Sequence, residues 1–425
     1  MRILILNEYF YPDVASTAQH SAELARALAH EGHEITVVTG RRRYEPGGKL
    51  LLRRETWESV RICRVPSIGL AKTSRWQRAA HFASFLLAAA WRLLWLGSFD
   101  AVVAMTTPPL LSALAAAFVR LRGGRLFVWV MDLNPDEALA AGWLRRGSPI
   151  TQFLETVLGS SLRRADGIIV LDRFMRERLV RKGTPERKLE IILPWAHNNT
   201  VYYDPEGRKA FREAHELGGK FVVMYSGNHS PCHPLDTLLR AAERLAENTQ
   251  IAFCFVGGGT EFQKVKGFAE TKGLENIVCV AYQPLHNLSA ALSAADLHVV
   301  VMGDPFVGIV HPCKIYNIMG LGIPFLYIGP PQSAVVDLLP PNAPVAWAYL
   351  ARHGDVNRVV EQILAAFRCG EGARFHEESR LAQRFAQELL IPKMTGLVTG
   401  TRTGVSVGDP FDCLPDVPGK LSEQI

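Results

Sequence analysis

The sequence predicts an α/β protein of two doubly wound, Rossmann-like domains. The N-terminal residues form a strand–helix–strand unit, and strands alternate with helices again through some 130 residues of the second half. A βαβ unit implies a parallel sheet with a ligand site at the carboxyl ends of its strands. The length of 425 residues allows two domains, each able to bury a core.

The first domain is predicted to span residues 1–198. Residues 2–6 read as a buried strand, 18–30 as a helix that ends at Gly32, and 34–39 as the next strand. The loop between the first strand and helix has no glycine, so the dinucleotide fingerprint is absent. A nicotinamide or flavin enzyme is therefore disfavoured.

The alternation continues along this domain, apart from a basic stretch at residues 41–64 that is predicted to be irregular. A polar, proline-marked segment beginning at Pro194 suits a hinge to the next domain. The further strands and helices are expected at residues 100–105, 110–121, 125–131, 151–165, 166–171, 173–182 and 190–193.

The second domain is predicted to span residues 199–370. The stretch 306–324 begins as a loop, becomes a helix near Lys314, and leads into a buried strand at 325–328. The earlier strands and helices are expected at residues 220–226, 235–247, 250–256, 276–280, 285–294 and 296–301.

The end of the chain is predicted to hold an amphipathic helix within residues 371–395 and a disordered tail at 396–425. The helical pattern is rich in Glu, Arg and Gln, whereas the chain after Pro392 is rich in Gly, Thr, Pro and Asp and has no apolar period.

The charge is unevenly distributed. Residues 1–200 carry a net charge of +10 and the remaining residues a net charge of −4, so the first half is expected to meet an anionic surface. The seven cysteines are scattered, without a C-x-x-C pair, and the N-terminal apolar run is too short for a signal sequence. Reduced thiols in the cytoplasm are the simplest account.

The segment 74–99 combines tryptophan, arginine and aliphatic residues. Its longest uncharged run, 81–91, is far shorter than the ~20 apolar residues that a membrane span needs. Tryptophan and arginine on an apolar helix suit a membrane interface, and a packed core helix is the alternative. The excess of basic residues in the first half of the chain favours the membrane-interface interpretation.

Two places in the sequence carry candidate chemistry. Lys314 stands at a helix start, with His311 and Asn317 nearby, which suits a diphosphate, although an ordinary loop–helix–strand unit is the alternative. Asp132 follows a buried strand, where it could orient or deprotonate a hydroxyl group. Alternatively, Asp132 or Asn134 caps the helix that follows.

Four short motifs stand out along the two domains: Asp-Leu-x-Pro-Asp at 132–136, Tyr-Ser-Gly-Asn at 225–228, Phe-Val-Gly-Gly-Gly at 255–259, and His-Pro-Cys-Lys-Ile-Tyr at 311–316. With these motifs, residues 1–390 resemble retaining GT-B glycosyltransferases of the family-4 type, in which two Rossmann-like domains face each other across a cleft. The branch that the chain resembles comprises bacterial exopolysaccharide and O-antigen enzymes, including fucosaminyltransferases.

The resemblance implies a role for each matching position. Asp132 and Lys314 would be catalytic. Acceptor contacts would come from Tyr11, Thr17, Gln19 and His20. Alternatively, His20 is a surface residue of the helix without a functional role. Contacts to the donor nucleotide sugar would come from Gly227, Asn228, His229, His233, Gly257, Gly258, Tyr282, Gln283, Gly308, Ile309, His311, Tyr316 and Asn317.

The chain departs from the family pattern at four positions. Ile309 and Asn317 stand where the family has two glutamates, and Asn228 and His233 stand where it has Arg and Lys. Lys314 and a helix N-terminus would then carry more of the phosphate charge. If protonated, His229, His233 and His311 would help and make donor binding depend on pH.

The expected activity is transfer from a nucleotide diphosphate sugar, with a UDP-sugar favoured, to a lipid-diphosphate-linked or saccharide acceptor, with retention. No metal, cofactor or nucleic acid is expected. The enzyme is expected to be cytoplasmic and peripheral on an anionic membrane surface. A nucleotide-sugar 2-epimerase on the same fold, and a pseudo-glycosyltransferase that binds a partner without turnover, are the alternatives.

Overall fold

The structure is a computed structural model that describes residues 1–44, 49–69, 75–197, 200–340, 347–370 and 383–401. Two mainly parallel sheets alternate with helices, as the sequence predicts. The first lies in the N-terminal half and the second in the C-terminal half. An apolar core runs across the junction between them, because Ile309 and Ile315 of the second half pack in the same cluster as Leu133 of the first.

The first domain is built on an eight-stranded sheet in the order β3-β4-β2-β1-β5-β6-β7-β8. Its strands are β1 (Arg2–Leu6), β2 (Glu34–Gly40), β3 (Arg54–Trp57), β4 (Val60–Val65), β5 (Ala101–Met105), β6 (Arg125–Trp129), β7 (Gly167–Val170) and β8 (Leu189–Ile191). Its helices are α1 (Ser16–His30), α2 (Arg75–Leu94), α3 (Leu111–Arg122), α4 (Asp136–Ala140), α5 (Pro149–Arg164) and α6 (Arg173–Arg181).

The second domain is built on a six-stranded parallel sheet in the order β11-β10-β9-β12-β13-β14. Its strands are β9 (Phe221–Asn228), β10 (Ile251–Gly258), β11 (Ile277–Val280), β12 (Leu297–Val301), β13 (Phe325–Ile328) and β14 (Ala348–Ala351). Its helices are α7 (Pro205–Ala214), α8 (Asp236–Arg244), α9 (Thr260–Lys272), α10 (Leu288–Ser293), α11 (Lys314–Leu321), α12 (Ala334–Asp337) and α13 (Val356–Arg368), and α14 (Gln387–Thr399) follows.

Two predictions about the chain are wrong. The stretch 41–64, predicted to be irregular, contains β3 and most of β4, which pair antiparallel at the edge of the first sheet. The disordered tail does not begin at residue 396, because α14 continues to Thr399 and Val398 is fully buried. The predicted domain boundary at 198/199, the start of the C-terminal helix at 371–382 and the tail at 402–425 lie outside the described residues.

The helix α14 returns to the first domain, as expected for the resembling fold. It packs against α1, and the guanidinium of Arg125 on β6 donates hydrogen bonds to the carbonyls of Val398 and Thr399 at 2.9 and 3.0 Å. In the described part of the chain, no helix is both long enough and apolar enough to cross a bilayer.

Candidate active site

The candidate site is a cleft of about 380 Å³ between the two domains. It is lined by residues at the carboxyl ends of β1, β5 and β6 in the first domain and of β9 and β10 in the second. The starts of α1 and α11 also line it, through Thr17 and Lys314. Neither helix has a side-chain N-cap from a described residue. Their first N–H groups therefore give the cleft a partial positive charge from each domain.

Lys314 places in this cleft a buried amine that is charged when it is protonated. Its Nζ is buried without a hydrogen-bond partner among the described residues, and it lies 3.6 Å from the centroid of the Tyr225 ring. Burial lowers the pKa of Lys314 to about 7. A methyl group at Gly227 would come within 3.4 Å of Nζ, so this glycine leaves room beside the ammonium group. The arrangement leaves Lys314 able to receive an anion.

Two of the three predicted phosphate histidines are neutral. His233 lines the cleft, and its Nδ1 donates to the carbonyl of Val301 at 2.6 Å. His229 does not line the cleft; its ring packs against Phe262 and its Nδ1 donates to the carbonyl of Gly227 at 2.9 Å. Burial, and then the charge of Lys314, lower the pKa of each ring to about 3. In the free protein both rings are therefore neutral near pH 7, and their role as protonated ligands of a bound diphosphate stays a prediction.

His311 and Asn317 line the cleft and tie the domains together. The ring of His311 contacts the Asp172 carboxylate of the first domain through Nδ1 at 2.8 Å and the Tyr316 hydroxyl through Nε2 at 2.7 Å. Asn317 Oδ1 accepts from the backbone N–H of His197 at 3.0 Å. Because that oxygen is engaged, the amide nitrogen of Asn317 is the group left to face a ligand.

Besides His229, five predicted donor contacts lie outside the cleft lining. Tyr316 stacks beneath His311, and the backbone carbonyl of Ile309 accepts from Leu133 N–H at 2.8 Å across the domain junction. The other three are glycines packed too closely against their neighbours to carry a side chain. A methyl group on Gly257 would lie 2.1 Å from the Gly227 carbonyl, and one on Gly258 would lie 2.9 Å from the Tyr282 ring. A methyl group on Gly308 would lie 2.7 Å from the Phe174 backbone.

Asn228, Tyr282 and Gln283 line the cleft beside Gly227, as the resemblance implies for donor contacts. The Tyr282 hydroxyl donates to the Gly258 carbonyl at 3.3 Å. The Tyr282 ring meets the Tyr44 ring edge-on at 6.5 Å between centroids, so aromatic side chains of the two domains face each other across the cleft.

Asp132 lines the cleft at the exit from β6 and lies near a second carboxylate, Glu137. Burial, and then the charge of Glu137, raise the pKa of Asp132 to about 7. Glu137 is fixed by Asn134, whose Nδ2 donates to Oε2 at 3.2 Å, and by the Cys232 thiol of the second domain at 3.7 Å from Oε1. A carboxylate with a pKa near 7 can both accept and release a proton near neutral pH.

The helix-capping alternative for Asp132 and Asn134 is wrong. The α4 helix has no side-chain cap from any described residue. Asp136, which completes the resemblance motif, instead pairs with Arg178 and Lys182 of the first domain at 3.3 and 2.6 Å. This carboxylate is therefore structural.

The predicted acceptor contacts divide between the cleft and the interior. Thr17 and Gln19 line the cleft, where Gln19 Nε2 donates to the Val14 carbonyl at 2.7 Å. Tyr11 is not part of the lining; its ring stacks on Trp57 with centroids 4.3 Å apart.

His20 lies behind the cleft wall, so both the acceptor contact and the surface alternative are wrong. It is 1% exposed and packs between Trp195 and His197, at 5.1 and 4.7 Å between ring centroids. Its Nδ1 donates to the Ser16 carbonyl at 2.8 Å, and burial lowers its pKa to about 4.

The sequence reasoning missed several residues of the site. Glu137 had a signal, because a second carboxylate five positions after Asp132 can lie beside it when the chain turns into a helix. The other missed residues lie in segments that the sequence predicts to be loops or strands without a functional motif. They are Tyr9, Tyr44, His197 and His298.

The class of protein follows from this geometry and from the family matches. Two Rossmann-like domains that face each other across a ligand cleft define the GT-B fold. Residues 17–195 match the glycosyl transferase 4-like domain, and residues 207–324 match glycosyl transferases group 1. The protein is a glycosyltransferase made of these two domains in that order.

Similar proteins agree with this class. WcaI of Escherichia coli K12, a glycosyl transferase named for colanic acid biosynthesis, is 24% identical over 76% of this chain and 82% of its own length. WbjE of Pseudomonas aeruginosa, named as a glycosyltransferase, is 28% identical over 59% of this chain and 65% of its own.

Solved structures share the fold over 94% of this chain. Sucrose-phosphate synthase from Thermosynechococcus elongatus has a TM-score of 0.72 at 16% identity over 98% of its own chain. HepE from Anabaena, solved with UDP-glucose, has a TM-score of 0.67 at 13% identity over 99% of its own chain.

Proposed function

We propose that this glycosyltransferase moves a sugar from a nucleotide diphosphate sugar, foremost a UDP-sugar, to a lipid-linked or polysaccharide acceptor in cell-envelope polysaccharide biosynthesis. The observation that carries the proposal is Lys314, a buried cation at a helix start in the interdomain cleft. A buried charge is costly until an opposite charge joins it, and a diphosphate suits a lysine beside uncapped helix N-termini. The name of WcaI, a glycosyl transferase of colanic acid biosynthesis, supports the biosynthetic role, and the UDP-glucose bound to HepE supports the donor.

In the proposed reaction, an acceptor oxygen bonds to the anomeric carbon while the bond from that carbon to the diphosphate oxygen breaks, with net retention of configuration. Lys314 and the N–H groups of α11 stabilise the charge that grows on the leaving diphosphate. Asp132 receives the proton of the acceptor hydroxyl. Because these protein groups stabilise the negative charge of the diphosphate, we propose that neither a metal ion nor a cofactor takes part. We expect full activity in EDTA.

We further propose that the enzyme works as a peripheral protein at the cytoplasmic face of the cell membrane. The outer face of α2 and the residue after it carry an apolar stripe of large side chains that are 57–72% exposed: Trp76, Leu87, Trp91, Leu94 and Trp95. A surface helix ordinarily presents polar residues to water on that face. Tryptophan beside arginine on a basic domain suits an anionic bilayer surface.

The donor is tested by thermal stability with UDP, GDP, ADP and dTDP, each over a concentration series. A ligand that binds only the folded state adds ~2.7 kcal/mol of stability at a hundredfold excess over its Kd. We expect the largest shift with UDP. A larger shift with GDP would overturn the UDP assignment, and no shift with any nucleotide would contradict the proposed function.

The 2-epimerase alternative is tested with the donor sugar alone. An epimerase isomerises or releases the sugar without an acceptor, whereas the proposed transferase leaves most of the donor intact until an acceptor is added. NMR of the sugar after incubation with and without acceptor separates the two.

A further inference from the structure

A second, smaller cavity lies in the first domain and has a volume of about 80 Å³. Leucine side chains dominate its walls: Leu110, Leu144, Leu154 and Leu158. Two polar residues at its edge already have partners. Ser112 Oγ bonds to Ser161 Oγ at 2.9 Å, and Asn134 Nδ2 donates to Glu137. The cavity therefore suits an apolar ligand rather than a sugar ring.

The cavity adjoins the cleft at the exits of two neighbouring strands. After β5, Thr107 lines the cleft and Pro109 lines the cavity. After β6, Asp132 lines the cleft and Asn134 lines the cavity. Both exits are turns, so each pair of positions lies less than the ~7 Å of two extended residues apart. The cleft and the cavity are therefore separated by no more than a turn of chain at either exit.

Exposed apolar residues neighbour the cavity wall along the chain. Leu154 stands on α5 beside Phe153, which is 59% exposed, and one turn after Ile150, which is 63% exposed. Leu144 follows Trp143, whose ring lies 4.8 Å from the Arg78 guanidinium of α2. The segment that carries Leu144 therefore contacts α2, the helix with the apolar stripe.

Arg78 also acts on two groups beside the cleft. Burial raises the pKa of Glu137, and the positive charge of Arg78 opposes that rise, after the larger lowering by hydrogen bonds from Asn134 and Cys232. The same charge opposes the rise that burial and neighbouring carboxylates cause in the pKa of Tyr44. A guanidinium between an apolar cavity and a sugar cleft suits the phosphate of a lipid-linked saccharide.

We infer that the cavity is an acceptor subsite, which holds the first carbons of the lipid chain while Arg78 faces the attached phosphate. The occupant is the prenyl or alkyl chain of a lipid-linked acceptor. The volume equals that of two to three water molecules, so only the start of the chain fits, and the remainder runs along the exposed apolar residues. This inference rests on the proposed function and names its acceptor class.

The test compares the binding of farnesyl diphosphate and methyl diphosphate, without vesicles and below the micelle concentration. We expect the farnesyl compound to bind at least tenfold more tightly to the unmodified protein. The variant Ala138→Leu, which adds carbons at the cavity wall, should reduce that preference to less than threefold and leave the Kd of UDP within twofold. The variant Arg78→Met should weaken both diphosphates.

A second variant guards against a folding defect. Leu158→Ala enlarges the cavity and should keep or increase the preference for the farnesyl compound. Equal binding of the two compounds by the unmodified protein would overturn the inference. An unchanged preference in Ala138→Leu would also overturn it, because the lipid chain would then bind on the α2 stripe and not in the cavity. Because UDP binding is measured in parallel, loss of this subsite is distinguishable from failure of the donor proposal.

Discussion

The buried ammonium group of Lys314 sets the charge of the proposed donor site. Burial holds its pKa near 7, so at pH 8 most of the free protein carries this lysine neutral. A bound diphosphate favours the charged form and raises the pKa again. Binding should therefore be coupled to protonation of one residue.

We predict that UDP binding at pH 8 takes up nearly one proton, and that it takes up far less at pH 6, where the lysine is already charged. Calorimetry in buffers of different ionisation enthalpy measures this number. Lys314→Met should abolish the uptake and weaken UDP binding by at least tenfold. The control Lys272→Met removes an exposed lysine that pairs with Glu243 and should change neither quantity. Uptake that persists in Lys314→Met would assign the proton to another group.

Asp132 gives a second pH dependence. Its carboxyl has a pKa raised to about 7, so it is protonated below that pH and cannot accept the acceptor's proton. We predict that kcat/KM for the acceptor rises with pH through about 7. Asp132→Asn should lower kcat by roughly 10²–10⁴-fold and remove this dependence.

Glu137→Gln supplies the matched control for Asp132. It removes the second cause of the raised pKa, so the rising limb of the pH profile should move to lower pH while kcat at high pH is largely kept. An unmoved profile would show that Asp132 is not the group that titrates.

Side chains whose place depends on a strand exit or a helix start could be predicted from the sequence. Asp132 and Lys314 line the cleft for that reason. His20 and Tyr11 could not, because distant partners, Trp195 and Trp57, decide where their rings pack. The signal for such positions lies in tertiary packing and not in local spacing.

At the scale of elements, α2 tests the membrane proposal. Each of Leu87 and Trp91 is at least 65% exposed, and burying such a side chain contributes about 1.5–3 kcal/mol. We predict that the double change Leu87→Gln and Trp91→Gln weakens binding to anionic vesicles by at least tenfold in flotation, without changing thermal stability.

The control for α2 is Leu389→Gln, which alters an exposed leucine of α14, 42% exposed. It should leave vesicle binding unchanged. If the double variant floats as the unmodified protein does, the α2 stripe is not the membrane surface. Equal weakening in the control would point to general apolar adsorption.

Elements with a strong local pattern were predicted well, and elements that depend on a neighbour were not. The α11–β13 unit follows its apolar period and glycine stop as expected. The short edge strand β3 is exposed or half-buried and mostly polar, so its sequence shows little apolar alternation. Pro392 suggested the end of a helix, yet α14 continues to Thr399 because it packs on the first domain.

At the scale of the whole molecule, the two-domain fold could be predicted because each half repeats a local strand–helix pattern. The cleft could not be predicted in the same way, because its lining depends on how the domains meet. His311 shows this: its partner Asp172 lies 139 positions earlier in the chain. Such contacts carry no local sequence signal.

The domain junction is organised around Glu23 of α1, whose side chain is 11% exposed. Its carboxylate accepts from Trp195 Nε1 at 2.6 Å and His197 Nδ1 at 2.9 Å in the interdomain segment, and from Gln387 Nε2 at 2.9 Å on α14. The backbone N–H of His197 in turn holds Asn317, a cleft residue. One carboxylate thus links the first domain, the hinge, the returning helix and the proposed donor site.

We predict that Glu23→Gln lowers the thermal midpoint by roughly 4 °C or more, since a hydrogen bond to a charged group contributes about 1.5–3 kcal/mol. It should also raise the KM for the donor more than it lowers kcat, because Asn317 loses its fixed orientation while Lys314 and Asp132 keep theirs. Glu31→Gln, at the exposed end of the same helix, should change the stability by about 0.5 kcal/mol or less. A loss of stability in Glu23→Gln with no change in KM would mean that the junction supports the fold without positioning the donor.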